Sequence, residues 1–152
     1  MMDDLRSLYE EVILDHNRNP RNFHKIPEHC NHRAQGNNPL CGDHFTVYLT
    51  VKDGMVEDVG FEGAGCAISK ASASLMLESI KGKSLAEVEN LFEKMHRMLT
   101  DDAEDGEVED DLGKLEALSG VKEFPMRVKC ATLAWHIMNA ALKETEHSVT
   151  TE

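Results

Sequence analysis

Four side chains of this sequence are of the kinds that hold a soft metal ion or carry sulfur. Cys41 and Asp43 stand two residues apart in Asn38-Pro39-Leu40-Cys41-Gly42-Asp43, a stretch that Pro39 and Gly42 keep from regular structure. Cys66 and Cys130 follow far down the chain. Cys66 falls at or just before the first turn of a helix, whose free N–H groups and positive dipole end favour a negative charge. Cys130 falls in the first turns of another helix, beside Arg127 and Lys129, and nearby cations favour a thiolate. Three sulfurs and one carboxylate oxygen make a four-coordinate set of the kind zinc takes. There is no Cys-x-x-Cys pair, so these ligands must come from three distant segments. Spacing alone leaves a second reading equally open, in which the cysteines are unrelated buried thiols. Cys30 lacks the flanking Gly and Asp of the Cys41 stretch and reads as a spare thiol.

Composition sets the frame in which such a site must work. With 152 residues, 41% hydrophobic and 29% charged, the chain reads as one globular domain, 1–152, large enough for a core. No apolar run approaches the roughly 18 residues of a membrane span. Met1-Met2-Asp3-Asp4 lacks the basic and apolar regions of a signal peptide, so the expected compartment is the cytoplasm, where thiols stay reduced. A net charge of −12 argues against nucleic acid and against an anionic membrane surface, and fits a basic protein partner better.

The elements that must position the four ligands follow from periodicity. Leu5, Leu8, Tyr9, Val12 and Ile13 recur at helical spacing, and Asn17-Arg18-Asn19-Pro20 ends that helix near His16. His16, His24, His29 and His32 form no metal-binding pattern and read as surface residues. Residues 20–43 read as a long loop with a poor edge strand around 29–35. Phe45, Val47, Leu49 and Val51 alternate with polar residues, as in a half-buried strand, and Met55–Glu62 is a second strand. A three-residue loop, Lys52-Asp53-Gly54, puts Val51 opposite Met55, Val47 opposite Val59 and Phe45 opposite Phe61, apolar on apolar.

Gly63-Ala64-Gly65 leads into a helix of small residues from Cys66 to Met76. Ser69, Ser72 and Ser74 read as packing residues, since no base is evident beside them. Ser84 and Glu87 form a capping box for a helix with Leu85, Val88, Leu91, Phe92, Met95 and Leu99 on one face. Residues 101–111 hold eight acidic residues in eleven and read as a solvated, mobile loop, with docking of basic residues the sharper alternative. Leu112–Leu118 is a short helix ended by Gly120. Phe124-Pro125 opens the last helix, with Met126, Cys130, Leu133, Ile137 and Ala141 inward. The tail, about 144–152, is expected to fray.

Three stretches carry a resemblance. Asn37-Asn38-Pro39-Leu40-Cys41-Gly42-Asp43, Gly63-Ala64-Gly65-Cys66-Ala67-Ile68-Ser69-Lys70 and Arg127-Val128-Lys129-Cys130-Ala131-Thr132-Leu133 resemble the three cysteine motifs of the U-type iron–sulfur scaffold family. Leu8-Tyr9-x-x-Val12-Ile13-x-Asp15-His16 resembles that family's opening helix. The likeness spans about Leu8 to Ala141. The long segment between Cys66 and Cys130, and Lys129 where IscU-type members have histidine, point to the SufU-type branch. Phe124-Pro125-Met126-Arg127-Val128-Lys129 also departs from the chaperone-recognition motif of the IscU type.

The resemblance implies an α+β fold: a small antiparallel sheet with helices packed on it and a metal site at one edge. It implies Cys41, Asp43, Cys66 and Cys130 as ligands, with an Asx-type turn as the other role for Asp43. It implies a partner, a cysteine desulfurase of the SufS type, whose persulfide sulfur passes to Cys41, and further iron–sulfur assembly proteins. Arg127 then stabilises the freed thiolate, or else is a surface ion pair. A zinc-dependent sulfurtransferase is the expected function. A scaffold for a [2Fe–2S] or [4Fe–4S] cluster is the alternative, since three thiolates suit iron equally. A zinc module that only binds a partner fits an Asp ligand poorly.

Overall fold

The computed structural model describes residues 2–39, 42–100, 112–143 and 149–150. Helix α1, Met2–Arg18, precedes strands β1, His32–Asn38, β2, Asp43–Lys52, and β3, Met55–Ala64. Helix α2, Ala67–Ile80, and helix α3, Leu85–Thr100, follow, then a 3-10 segment, Gly113–Glu123, and helix α4, Pro125–Leu142. A two-residue strand β4, Val149–Thr150, closes the order. The sheet runs β3-β2-β1-β4, with the first three strands antiparallel. Helix α4 packs along β1 and β2, α2 against β3 and α4, and α1 against α2. The fold is therefore α+β, a small sheet with helices laid on it. Among the described residues no helix is long and apolar enough to cross a membrane.

Strand β1 is more regular than expected and starts later. Its residues are poor strand formers, yet Ala34, Gly36 and Asn38 point inward and alternate with exposed Arg33, Gln35 and Asn37. Small inward side chains let α4 lie close, and pairing with β2 from His32↔Leu49 to Asn38↔Asp43 supplies the backbone bonds. Its outer side is taken by part of the tail expected to fray. Val149 and Thr150 pair in parallel with Gly36 and Asn37, because an open strand side offers N–H and C=O groups to be satisfied. The rest of 144–152 and the acidic stretch 101–111 lie outside the described residues.

The hairpin corrects the expected register. Lys52 pairs with Met55, which leaves Asp53 and Gly54 as a two-residue turn with φ of 54° and 74°. Asp-Gly suits that doubly left-handed turn, whose twist matches the strands. The extra residue sits farther along: Thr50 opposes Asp58 while Val51 opposes Val56, so Glu57 is the bulge. Beyond it Leu49 faces Val59 and Val47 faces Phe61, still apolar on apolar, and Phe45 opposes Gly63.

Two helical segments also depart from expectation. Residues 113–123 form one 3-10 run past Gly120, where a short helix over Leu112–Leu118, ended by Gly120, was expected. Leu112, Leu115, Leu118 and Val121 are all buried, and their three-residue period is the period of a 3-10 helix, which aligns i and i+3. At α4, Met126 is 58% exposed and not on the inward face, because the first turn overhangs the rim and burial begins at Cys130. Farther along, the Trp135 indole donates to Ser72 Oγ (3.2 Å), and that hydroxyl donates to Ala131 O (2.6 Å), so the buried indole N–H is satisfied.

Candidate metal centre

Three elements end at one corner of the sheet. Asp43 opens β2, Cys66 caps the N-terminus of α2, and Cys130 lies in the second turn of α4. One ligand atom from each of Asp43, Cys66 and Cys130 falls within 4.8 Å of the others. Asp43 and Cys130 are buried and Cys66 is half-buried.

The two oxygens of Asp43 have different surroundings. Oδ1 accepts the Cys66 N–H at 2.9 Å, which ties the start of β2 to the start of α2. Oδ2 is buried with no hydrogen-bond partner among the described residues. A buried carboxylate oxygen without a partner is costly, and a cation held between it and two sulfurs would remove that cost. The donor set of two sulfurs and one oxygen therefore fits a soft-to-borderline divalent ion.

The sulfurs are held by backbone and side-chain groups. Cys66 Sγ accepts the Ser69 N–H at 3.4 Å, and Ser69 Oγ donates to Cys66 O at 3.1 Å. Cys130 Sγ lies 3.6 Å from Met126 O and accepts from Asn38 Nδ2 at 3.8 Å. Gly65 keeps the corner open: a Cβ there would come within 2.4 Å of Ser69 Oγ and 2.8 Å of Asp43 Oδ1. Arg127 stands exposed at the rim. Attraction to Cys66 first and Cys130 second, with hydrogen bonds to both, holds its guanidinium pKa above the ordinary arginine value.

Cys41 lies outside the described residues. Asn38 and Asp43, the strand ends on either side of it in the sequence, pair with each other at this corner. Cys30 is not in the cluster; its thiol is half-buried and donates to His32 O at 3.4 Å. Asn38 and Gly65 are the contributors that periodicity did not single out. The signals available for them were position alone, one at the root of the Cys41 loop and the other just before the Cys66 cap.

The histidines correct a further expectation. His24 and His29 are exposed, but His32 ties β1 to the end of α4 through Ala141 O at 2.8 Å. His16 is buried, with Nδ1 2.7 Å from Ser74 Oγ, so a base does stand beside one of the α2 serines. The Ser74 hydroxyl also accepts the Arg21 N–H at 2.8 Å and is fully buried, so the pair locks α1 to α2 and meets no substrate. Burial pushes the His16 pKa down.

Comparison with known proteins gives this corner a context. The sequence model of the NifU-like N terminal domain family matches residues 8–131. The chain is 41% identical over 145 residues to the zinc-dependent sulfurtransferase SufU of Bacillus subtilis, covering 94% of this chain and 95% of that one. It is also 41% identical over 139 residues to the iron-sulfur cluster assembly scaffold protein IscU of Thermotoga maritima, covering 91% and 95%. Among solved structures, FiSufU of Fervidobacterium islandicum AW-1 superposes with a TM-score of 0.80 at 35% identity, covering 90% of this chain and 98% of that one.

Proposed function

We propose, from the premise that this chain belongs to the NifU-like N-terminal domain family, that it is a zinc-binding sulfurtransferase which takes persulfide sulfur from a SufS-type cysteine desulfurase for iron–sulfur cluster assembly. The observation that carries this reading is the buried, unpartnered Asp43 Oδ2 beside Cys66 and Cys130. Asp43, Cys66 and Cys130 would hold the ion, with Cys41 as the fourth ligand. Zinc, when bound, keeps its thiol ligands deprotonated at neutral pH.

The chain's own residues then have separable tasks. The Cys41 thiolate attacks the outer sulfur of the desulfurase persulfide. The bond from that sulfur to the desulfurase cysteine breaks, a new S–S bond forms on Cys41, and the desulfurase cysteine leaves as a thiolate. No electron is gained or lost in the exchange. Arg127, exposed beside both other sulfurs, supplies positive charge where the thiolates gather. Asp43 Oδ1 holds the cap of α2 and so keeps Cys66 facing Cys130.

The test combines metal content with sulfur location. The protein is purified under reducing, anaerobic conditions, zinc and iron are measured, and desulfurase turnover with cysteine is followed with and without it. Stoichiometric zinc, stimulated turnover and persulfide on Cys41, all lost in Cys41→Ala, is the expected outcome. Persulfide mainly on Cys66 or Cys130 overturns the assignment. A second reading, a scaffold on which a [2Fe–2S] or [4Fe–4S] cluster is built, is favoured by the equal identity to an IscU relative. A coloured cluster passed to an acceptor protein selects it.

A further inference from the structure

We propose that Asn38 is a positioning residue of this centre, whose side-chain amide holds the Cys130 sulfur as a ligand and keeps it from acting as a sulfur acceptor. The inference rests on the metal-binding reading above and adds a residue to it. Asn38 is the last residue of β1 and is fully buried, as is Cys130. Its Nδ2 points at Cys130 Sγ from 92 residues away in the chain, at 3.8 Å. A buried amide costs free energy unless it is bonded, and the neighbouring inward positions of β1 are filled by Ala34 and Gly36 without any such group. The amide therefore has a use at this one position.

Two features make that use more than packing. Cys66 also accepts an N–H, from Ser69, so both helix-borne sulfurs receive a donor. An N–H directed at a thiolate withdraws charge from the sulfur, makes it a weaker nucleophile and fixes its direction. Asn38 also stands where β1 gives way to the loop that carries Cys41, and its backbone pairs with Asp43. One side chain thus ties the root of the Cys41 loop to the helix that bears Cys130. Loss of the amide leaves Cys130 with more charge and less direction.

The experiment uses Asn38→Leu, which keeps the volume and removes the donor, and Asn38→Ala as a second variant. Strand pairing at Asn38 is made by the main chain, so both are expected to fold, which far-UV circular dichroism checks. Cobalt(II) is the probe. In both variants the sulfur-to-cobalt charge-transfer band moves to lower energy, and zinc affinity measured against a chromophoric chelator falls about 10- to 100-fold. After incubation with desulfurase and cysteine, peptide mass spectrometry finds persulfide on Cys130 as well as Cys41. An unchanged band with unchanged affinity and persulfide on Cys41 alone, in a folded variant, overturns the role of Asn38 while leaving the centre intact. A wild-type protein that takes up no cobalt through sulfur overturns the centre and this inference together.

Discussion

Helices α2 and α3 begin in opposite ways, and the contrast lies in which donors and acceptors each start leaves over. At α3, Ser84 Oγ accepts the Glu87 N–H at 3.2 Å and Glu87 Oε1 accepts the Ser84 N–H at 3.1 Å. Two free donors are satisfied by two good oxygen acceptors. The surrounding chain is just as well bonded, with Leu85 N–H to Gly54 O and Gly82 N–H to Val56 O. At α2 the cap is a cysteine. Its sulfur is a weak acceptor of the Ser69 N–H at 3.4 Å, and the oxygen beside it, Asp43 Oδ2, is left without a partner among the described residues. A serine would cap α2 better. A cation held there would give the oxygen a partner and put the sulfur to use as a ligand.

The sharpest way to test the contrast is to give α2 the cap of α3. Cys66→Ser is expected to leave the metal-free protein as stable as before or more so, by up to about 1 kcal/mol, while zinc affinity drops by more than about 100-fold. Thermal unfolding with chelator present, and chelator competition, measure the two effects. Equal zinc affinity in this variant removes Cys66 from the centre. Gly65→Ala comes next. Its Cβ overlaps Ser69 Oγ and Asp43 Oδ1, so it is expected to cost about 1–3 kcal/mol and to weaken zinc as well, read from the urea midpoint and the same competition.

Ser84→Ala is the control at the other helix. It is expected to cost about 1 kcal/mol and to leave zinc affinity unchanged. The box also predicts a pH dependence. Hydrogen bonding from Ser84 holds Glu87 below its ordinary value of 4.5, so its contribution is present above that value and is lost as pH falls through the lowered one. Unfolding of wild type and Glu87→Gln between pH 6 and 3 checks it, since the amide keeps the box without titrating. His16 supplies a second dependence, away from both helix starts. Its folded pKa lies below the ordinary 6.5, so the unfolded chain binds the extra proton first and stability falls as pH drops through that ordinary value. Urea midpoints at pH 7.5 and 5.5, flattened in His16→Gln, measure it.

Much of the fold was legible because it is local. Ser84 and Glu87 form their box, Val88, Leu91, Met95 and Leu99 are buried at helical spacing, and Cys66 is the cap of α2. The misses come from choices that local pattern does not decide. Apolar pairing across the hairpin can be met by a wide turn or by a tight turn with a distant bulge, and Asp53-Gly54 favours the second. His16 sits on a helix flank that looks polar in sequence and is buried only because Ser74 of α2 meets it. Strand β1 forms from weak strand formers because β2 and α4 need a partner of small side chains there. Met126 shares the spacing of the buried face, but α4 starts beyond the rim.

The candidate site divides in the same way. The sequence alone determined which donors the chain offers: sulfur and carboxylate, a glycine-flanked cysteine, helix starts that favour negative charge. It did not decide that Asp43, Cys66 and Cys130 meet, or that Asn38 reaches the Cys130 sulfur. Periodicity tells which face of an element is buried, and only the packing of one element on another tells which buried residues touch. Here that was decided by the register of β1 on β2 and by the packing that brings the starts of α2 and α4 to the same end of the sheet.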